Sequence, residues 1–460
     1  MITKQNLYKL FYIFLFLHLL IWTLIPTFSN QNLPLDTIEA LAWGSNLDWG
    51  YNKHPPLSAL IANTFYFLFG SNDWAYYLLS QICVIVSFLF VWKFAENFFL
   101  NKIYIILSLL TLETIVFFNY TTPEFNVYVC QLPLKAAAVY YFWKSINSTN
   151  LYNWLATGIF CALGILTHYS FIFLIVSLFV FFIFFVQKNK KQINNFLISL
   201  FIFLLILFPH FMWLVDNNFQ TINYAFDRAG IEEKDLIKHL INPVKFLLKQ
   251  IGMLSLFVLI FLSIISIKKL RKINFKTNDK KKLFLLIINL LPILIIFIVS
   301  FISGAKIRTM WMSTFYLFFG VLFFYFFQKI IDLKKIKGFL FIFIFLFLLS
   351  PITYFYISIS NDLKRTDYPG REIAALVQDK WNDNFVNEIK IVIGDEWSAG
   401  NLSYHLYSRP IWVNDLKNKT SNITENQGVI YVGNPNILKK ICPGVFGIIK
   451  PVGYCMIGKR

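Results

Sequence analysis

Charged residues are scarce in this chain: of its 460 residues only 14% are Asp, Glu, Lys or Arg, whereas 57% are hydrophobic and 19% aromatic. So few charges cannot cover the surface of a water-soluble globule of this length. Runs of Phe, Leu and Ile recur instead at close to the roughly 20 residues that a helix needs to cross a hydrocarbon core. The composition therefore predicts a polytopic α-helical membrane protein.

Eleven apolar segments are predicted to span the membrane as helices. They are residues 8–26, 74–95, 102–119, 127–145, 152–168, 170–186, 195–215, 244–267, 283–303, 311–329 and 337–357. The first segment has no cleavage-site pattern after it and is longer than the core of a signal peptide, so we expect it to remain as an anchor. Neither an internal repeat nor a low-complexity tail is recognisable in the sequence.

Acidic residues are few, 24 against 42 Lys and Arg, and the two signs alternate between successive loops. Basic loops at 187–192, 268–282 and 328–338 share the side of Lys4 and Lys9, which the positive-inside rule makes cytoplasmic. Most of the net charge of +18 therefore reflects topology and not a nucleic-acid surface. The opposite loops hold the acids Asp36, Glu39, Asp48, Asp73, Glu124, Asp216, Asp227, Glu232 and Glu233.

The texture of the sequence changes after the last predicted span. A helical pattern is followed by short β-branched runs separated by Gly, Pro and Asn. The sequence thus predicts a transmembrane domain at 1–357, with a first extracytoplasmic loop at about 27–73, and a small extracytoplasmic α/β domain at 358–460.

Cysteine is rare, with five residues in all. Cys83, Cys130 and Cys161 lie in or near predicted spans, where packing is their expected role. Cys442 and Cys455 lie in the C-terminal domain, where a disulfide in an oxidising compartment and two free thiols are both open.

Two acids follow the first predicted span, in the stretch "DTIEALAWGSNLDWGYNKHPPLSAL" at 36–60. Asp36 and Glu39 share one face if this segment is helical, because side chains three apart are neighbours on a helix. The alternative is a solvated loop in which Asp36 caps a helix.

The same stretch ends on a basic pair and a double proline. Pro55 and Pro56 suit the first turn of a helix through "LSALIANTFYFLF" that lies in the membrane interface. Free N–H groups at this helix start, preceded by Lys53 and His54, suit an anion such as a phosphate. In the alternative interpretation Lys53 only meets lipid headgroups.

Five further polar residues lie near the outer ends of predicted spans. Glu124 and Asn126 follow a proline, and either binding or helix capping fits them. His210 lies within a span, where an ionisable group is often functional, although a core histidine bonded to a freed carbonyl is the alternative. Lys306 and Arg308 run against the positive-inside trend, so they are expected to meet a phosphate or to pair with the acids.

Several of these strings, in this order, resemble the GT-C type membrane glycosyltransferases. The loop "DTIEALAWG…LDWGYNKHPPL" resembles that of the bacterial relatives of dolichyl-phosphate-mannose protein mannosyltransferases and of lipid A aminoarabinose transferases. The resemblance continues through "NYTTPEFN" (119–126), "GILTHYS" (164–170), "PHFMWLVDNNFQTINYAFDRA" (209–229), "GAKIRTMW" (304–311) and the C-terminal "YPGREIAALVQ" and "GDEWSAGNLSYHLYSRP".

The chain departs from these relatives at three positions. Many relatives carry adjacent Asp-Glu where this chain has Asp36 and Thr37, which leaves Glu39 as the second acid. Many have Lys directly before the first proline, where this chain has His54, and Lys is expected where this chain has His168.

The resemblance implies that a sugar is transferred with inversion from a polyprenyl phosphate to an acceptor. Such a reaction needs a base for the acceptor proton and fixed positive groups for the leaving phosphate. Asp36 is then the expected base, with Glu39 positioning the acceptor or a metal. The expected phosphate ligands are Lys53, His54, Lys306 and Arg308. The expected substrate-binding residues are Tyr51, Glu124, Asn126 and His210.

The expected partners are membrane lipids, a polyprenyl-phosphate-linked sugar donor and an acceptor, with no nucleic acid. The acceptor expected first is lipid A, lipopolysaccharide or another glycan, and a protein comes second. No cofactor is expected to be required; the alternative is a divalent metal held by Asp36, Glu39 and His54, whose spacing is not diagnostic. The expected location is a bacterial inner membrane.

Two other functional classes share parts of this pattern. A transporter or flippase of lipid-linked sugars needs polar groups near mid-membrane and broken helices. Here the spans carry few charges and the acids collect on one side, which favours an enzyme at one membrane face. A scaffold protein with a C-terminal binding domain would leave the stretch from Asp36 to Pro56 unexplained.

Overall fold

The structure is a computed structural model of the chain. It describes residues 4–185, 190–230, 236–266, 268–269, 279–361, 364–414, 427–450 and 452–460. Glu232 and Glu233, two of the acids assigned to the outer loops, lie outside the described residues, as do residues 186 and 267 at the ends of two predicted spans.

Helices make up most of the chain before residue 361. They are α1 (Lys4–Ser29), α2 (Leu35–Gly44), α3 (Leu57–Phe69), α4 (Asp73–Ala95), α5 (Lys102–Leu112), α6 (Val127–Ile146), α7 (Leu151–Thr167), α8 (Ile172–Phe185), α9 (Lys190–Asp216), α10 (Gln220–Ala229), α11 (Lys238–Met253), α12 (Ser255–Ser263), α13 (Lys280–Ser303), α14 (Phe319–Phe327) and α15 (Ile336–Ser360). Asparagine side chains begin three of them by accepting hydrogen bonds from first-turn N–H groups, at Asn101, Asn126 and Asn150.

The helices confirm a multi-pass membrane protein but not the count of eleven spans. Among the described residues five helices are long and apolar enough to cross a membrane: α1, α4, α9, α13 and the helix that ends with α15. Two bent pairs raise the number to seven, namely α11 with α12, bent by 44°, and α14 with the 3-10 segment Thr309–Tyr316, bent by 54°. The predicted spans 102–119, 152–168 and 170–186 contain shorter helices.

Aromatic side chains fill much of the space between the helices. The Phe94 ring lies 4.5 Å from that of Phe98, 4.9 Å from that of Phe318 and 5.9 Å from that of Phe284, measured between centroids. By contrast, only 11% of the most apolar window of α15 is buried within the protein, as expected for a helix that faces lipid.

A small α/β domain follows α15, as the sequence predicted. Its helices are α16 (Gly370–Asn384), α17 (Ser398–His405) and α18 (Pro435–Ile441); its strands are β1 (Ile391–Ile393), β2 (Ile411–Val413), β3 (Val429–Gly433), β4 (Val445–Ile449) and β5 (Val452–Ile457). The strand order is β2-β1-β3-β5-β4, with β1 parallel to both neighbours and β5 antiparallel to both of its own. Cys442 and Cys455 form a disulfide, which resolves the alternative that the sequence left open.

Close packing joins this domain to α2. A side chain at Gly400 of α17 would place its Cβ 3.1 Å from side-chain atoms of both Ala42 and Ile38, so these neighbours would have to shift by a few tenths of an ångström to admit it. Nearby, the Arg409 guanidinium donates to the Leu41 carbonyl at 2.6 Å. The segment before α2 is joined to the segment after α15, because two successive N–H groups, at residues 31 and 32, donate to the Thr366 carbonyl at 2.9 Å.

Candidate active site

Asp36 and Glu39 lie on one face of a helix, as their spacing predicted. Pro34 precedes α2 in extended backbone, and the helix begins at Leu35. Both carboxylates line a cavity of about 750 Å³. The alternative in which Asp36 caps the helix is not what the structure shows, because Asp36 lies inside the first turn.

Asp36 is paired with a second buried carboxyl group. Its backbone N–H donates to Glu124 Oε1 at 3.0 Å. Burial, followed by the charge of Glu124, raises the pKa of Asp36 to about 7, and burial also raises the pKa of Glu124. A carboxylate that exchanges its proton near neutral pH is suited to general base catalysis.

Lys53 lies between two carboxylates from distant parts of the chain. Its Nζ is 2.8 Å from Glu39 Oε1 and 3.3 Å from Glu396 Oε1. Burial acts to lower the pKa of Lys53, but the hydrogen bonds and charges of Glu39 and Glu396 outweigh it and raise that pKa. Burial raises the pKa of Glu39, although its contact with Lys53 acts to lower that pKa. Lys53 is therefore a firmly charged ammonium on the cavity wall.

His54 also lines the cavity, but its environment disfavours the charged ring. Its ring centroid lies 5.4 Å from that of His168. Burial, and then the nearby His168, Lys53 and Arg228, lower the pKa of His54 well below its ordinary value. This environment favours the neutral ring. The helix expected after the prolines is α3, which begins at Leu57.

Lys306 and Arg308 lie on the same loop but have different surroundings. Arg308 lines the cavity. Lys306 is exposed, and its backbone N–H donates to the Ala229 carbonyl at 2.8 Å, which joins this loop to the end of α10.

Two further arginines, which sequence reasoning missed, also line the cavity. Arg228 lies in the last turn of α10, and Arg365 begins a short 3-10 segment after α15. Arg228 lies in "NYAFDRA", which is part of a string that carries the family resemblance. Arg365 lies in "KRTDYPG", which adjoins another such string. Their positive charge among outer-side acids was the available signal.

Three residues expected to bind substrate, Tyr51, Asn126 and His210, make contacts inside the protein. Tyr51 is buried and its ring stacks on Trp43, with centroids 5.5 Å apart. The Asn126 side chain accepts from the N–H groups of Tyr128 and Val129, both at 3.0 Å, and so caps α6. Asn126 also lines a small second cavity together with Asp36 and Glu39.

His210 is buried and both of its ring nitrogens have partners. Nδ1 donates to the Trp49 carbonyl at 2.6 Å, and Nε2 accepts from the Tyr169 hydroxyl at 2.8 Å. Tyr169 lines the cavity. His210 therefore holds both the 36–60 stretch, through Trp49, and the cavity residue Tyr169 against α9.

We expect His210→Phe to lower the free energy of unfolding by about 1–3 kcal/mol, because it removes two hydrogen bonds and leaves buried polar groups without partners. Unfolding of the detergent-solubilised protein measures this. His239→Phe is the control: its Nδ1 bonds the Phe301 carbonyl at 3.0 Å in an exposed position, so we expect a smaller loss. Equal stability of the His210 variant and the wild type would contradict the supporting role.

The C-terminal domain and the segment before it supply one wall of the cavity. Arg365, Asp395, Glu396 and Trp397 all line it. The Asp395 carboxylate accepts from the N–H groups of Trp397 and Ser398 at 2.9 and 2.7 Å, which fixes the turn that starts α17.

Part of the cavity lining is apolar and reaches the outside of the helices. Ile172, Phe226, Val299 and Met310 line the cavity and are also exposed on the surface. They come from α8, α10, α13 and the 3-10 segment before α14. The cavity lining thus combines charged side chains with apolar side chains that are exposed on the outside of the helices.

Metal ligands are not grouped at this site. Within the part of the chain that the structure describes, no cluster of three or more His, Cys, Asp or Glu side chains is arranged to hold a metal ion.

The chain is similar to known proteins in sequence over one segment and in fold over nearly its full length. The family described as dolichyl-phosphate-mannose-protein mannosyltransferase matches residues 53–213. No curated protein has a significantly similar sequence.

Two of the solved structures that share the fold belong to one protein. The structure of ArnT from Cupriavidus metallidurans bound to undecaprenyl phosphate has a TM-score of 0.65 and 12% sequence identity, and the match covers 97% of this chain and 98% of that one. The apo state of the same protein gives a TM-score of 0.64 and 13% identity with the same coverage. The resemblance to GT-C type membrane glycosyltransferases that the sequence indicated is therefore confirmed, through the family match at 53–213 and through the fold.

Proposed function

We propose that the protein is a glycosyltransferase that moves a sugar from a polyprenyl-phosphate donor to an acceptor of the cell envelope. The reaction takes place at the extracytoplasmic face of a bacterial inner membrane, with the N-terminus cytoplasmic and residues 358–460 outside. One observation carries the proposal: a single cavity is lined by a carboxyl group of raised pKa, by several cations and by apolar side chains that are exposed on the outside of the helices.

The charged and the apolar parts of the cavity lining suit the two ends of such a donor. The cations of the lining, Lys53, Arg228, Arg308 and Arg365, would hold a phosphate through charge-assisted hydrogen bonds. The apolar part of the lining would admit the prenyl chain from the bilayer. The fold is shared with a protein whose structure holds undecaprenyl phosphate, which supports this class of donor.

In the proposed reaction the acceptor hydroxyl or amine attacks the anomeric carbon from the face opposite the phosphate. Asp36 takes the acceptor proton as the new bond to the anomeric carbon forms. The bond from that carbon to the phosphate oxygen breaks, and the phosphate leaves with the electron pair. Lys53 and Arg308 stabilise the charge that develops on the leaving oxygen. The outcome is inversion at the anomeric carbon.

The remaining residues take supporting roles in this proposal. Glu39 positions the acceptor and Lys53, Glu124 sets the proton affinity of Asp36, and His54 offers a neutral ring to the phosphate or sugar. Lys306 attracts the anionic donor from the surface. Tyr51, Asn126 and His210 hold the segments that carry these groups.

We expect the acceptor to be lipid A, lipopolysaccharide or another glycan. Mass spectra of envelope lipids from cells with and without the gene test this, with complementation by the wild type and by Asp36→Asn. Loss of a hexose-, hexosamine- or uronate-sized increment that only the wild type restores would identify sugar and acceptor together. A flippase would instead work with Asn at position 36 and would transfer no sugar after purification.

Transfer should rise with pH until about pH 7 and then level off, because the base is active only when ionised and the pKa of Asp36 is raised to about 7. Below that value the rate should fall about tenfold per pH unit. Glu124→Gln removes a neighbouring charge that raises the pKa of Asp36, so its profile should shift to lower pH. A wild-type rate that is already constant above about pH 5, near the ordinary range for Asp, would exclude this assignment.

A further inference from the structure

Glu396 reaches from the C-terminal domain to the cation that the proposed reaction needs. Its Oε1 lies 3.3 Å from Lys53 Nζ and accepts from Asn52 Nδ2 at 3.0 Å. The Lys53 ammonium is thus already compensated by two carboxylates, Glu39 and Glu396, before any phosphate enters. A phosphate that binds Lys53 would therefore compete with these two carboxylates for its charge.

The geometry points to Glu396 as the group that gives way. Its contact with Lys53 is 0.5 Å longer than that of Glu39, from 3.3 and 2.8 Å. Glu39 is held within helix α2, whereas Glu396 lies on a turn before α17. Asn52 Nδ2 donates to the same Oε1 atom of Glu396, so this carboxylate has a second partner besides Lys53.

We propose that Glu396 is a positioning residue whose carboxylate pairs with Lys53 when no donor phosphate is bound. After the reaction the carboxylate pairs with Lys53 again and so expels the product phosphate. This deepens the proposed function and rests on it. The donor phosphate is a diester with one negative charge, whereas the released polyprenyl phosphate is a monoester with nearly two at neutral pH. Without a competing carboxylate, Lys53 would hold the product more tightly than the substrate.

Competition of this kind reduces the apparent affinity of the phosphate by the fraction of time that Lys53 is free. Glu396→Gln keeps the length of the side chain and its contact with Asn52 but removes the competing charge. We therefore expect this variant to bind undecaprenyl phosphate about three- to tenfold more tightly than the wild type, by the same population argument. Turnover should become more sensitive to inhibition by added undecaprenyl phosphate.

Binding of undecaprenyl phosphate to the full-length protein in nanodiscs is the measurement, since it does not require knowledge of the sugar. Undecaprenol, which lacks the phosphate, is the control ligand and should bind both proteins equally. Glu388→Gln is the control variant, because it removes the same charge from an exposed position of the same domain. A general change in surface charge would affect both variants, whereas the proposed competition affects only Glu396.

A double-mutant cycle separates this role from a structural one. Because the effect of Glu396→Gln acts through Lys53, it should disappear in a Lys53→Met background. Unchanged or weaker binding of undecaprenyl phosphate by Glu396→Gln would overturn the inference, as would equal tightening without Lys53. Failure of the wild-type protein to bind undecaprenyl phosphate more tightly than undecaprenol would instead refute the proposed function itself.

Discussion

Asp36→Asn should reduce sugar transfer by roughly 10²- to 10⁴-fold, the usual contribution of a positioned general base. The amide keeps the size of the side chain but cannot accept the proton of the acceptor. The Asp36 backbone N–H would still donate to Glu124, so α2 should keep its position. Transfer measured with the purified, reconstituted protein gives the loss, and its yield and unfolding curve show that folding is retained.

Asp48→Asn is the matched control for this substitution. Asp48 lies on the same stretch between α2 and α3, where its carboxylate accepts from the exposed Trp49 N–H at 2.7 Å. We expect transfer close to that of the wild type. If Asp36→Asn also retained activity within a few-fold of the wild type, Asp36 would not be the base. Glu39→Gln should be damaging but less so than Asp36→Asn.

Local patterns in the sequence predicted those parts of the site that lie within one helix or one turn. The spacing of Asp36 and Glu39 placed them on one face because helical neighbours recur at three and four residues. The double proline placed the start of α3 within two residues, since proline favours the first helical turn. Asn126 before an apolar run is a capping pattern, and it caps α6.

The parts that depend on distant contacts were not predictable in this way. Arg228 and Arg365 join Asp36 at one cavity although about 190 and 330 residues separate them along the chain. No local pattern records which outer loops meet. The contact between Lys53 and Glu396 was missed for the same reason.

Burial is a second property that the sequence did not disclose. The basic pair Lys53 and His54 reads as two cations, yet desolvation and neighbouring positive groups lower the pKa of His54, whereas two carboxylates raise that of Lys53. Adjacent residues thus differ in charge because their partners differ. The hydropathy of a segment also does not show where a helix breaks. The predicted span 102–119 consists of the 11-residue α5 and a short 3-10 segment at Val116–Phe118.

Lys53→Ala should lower turnover by roughly 10²- to 10³-fold, the usual cost of removing one group that stabilises developing charge. Affinity for the sugar-loaded donor should change less, because the phosphate gains negative charge only as its bond to the sugar breaks. Lys53→Arg, which keeps the charge, is the comparison. Turnover and donor binding measured separately on the same preparations distinguish the two effects.

Loss of Lys53 also leaves Glu39 and Glu396 without their shared cation, so a fall in activity has two explanations. A second variant distinguishes a catalytic role of Lys53 from neutralisation of the two acids. The double variant Lys53→Ala with Glu396→Gln removes one of the two acids and restores part of the charge balance. If the loss of turnover comes from the missing cation at the phosphate, the double variant should be as slow as Lys53→Ala alone. Recovery to within a few-fold of the wild type would show that Lys53 only neutralises the two carboxylates, and the leaving phosphate would then be held by Arg308 together with Arg228 and Arg365.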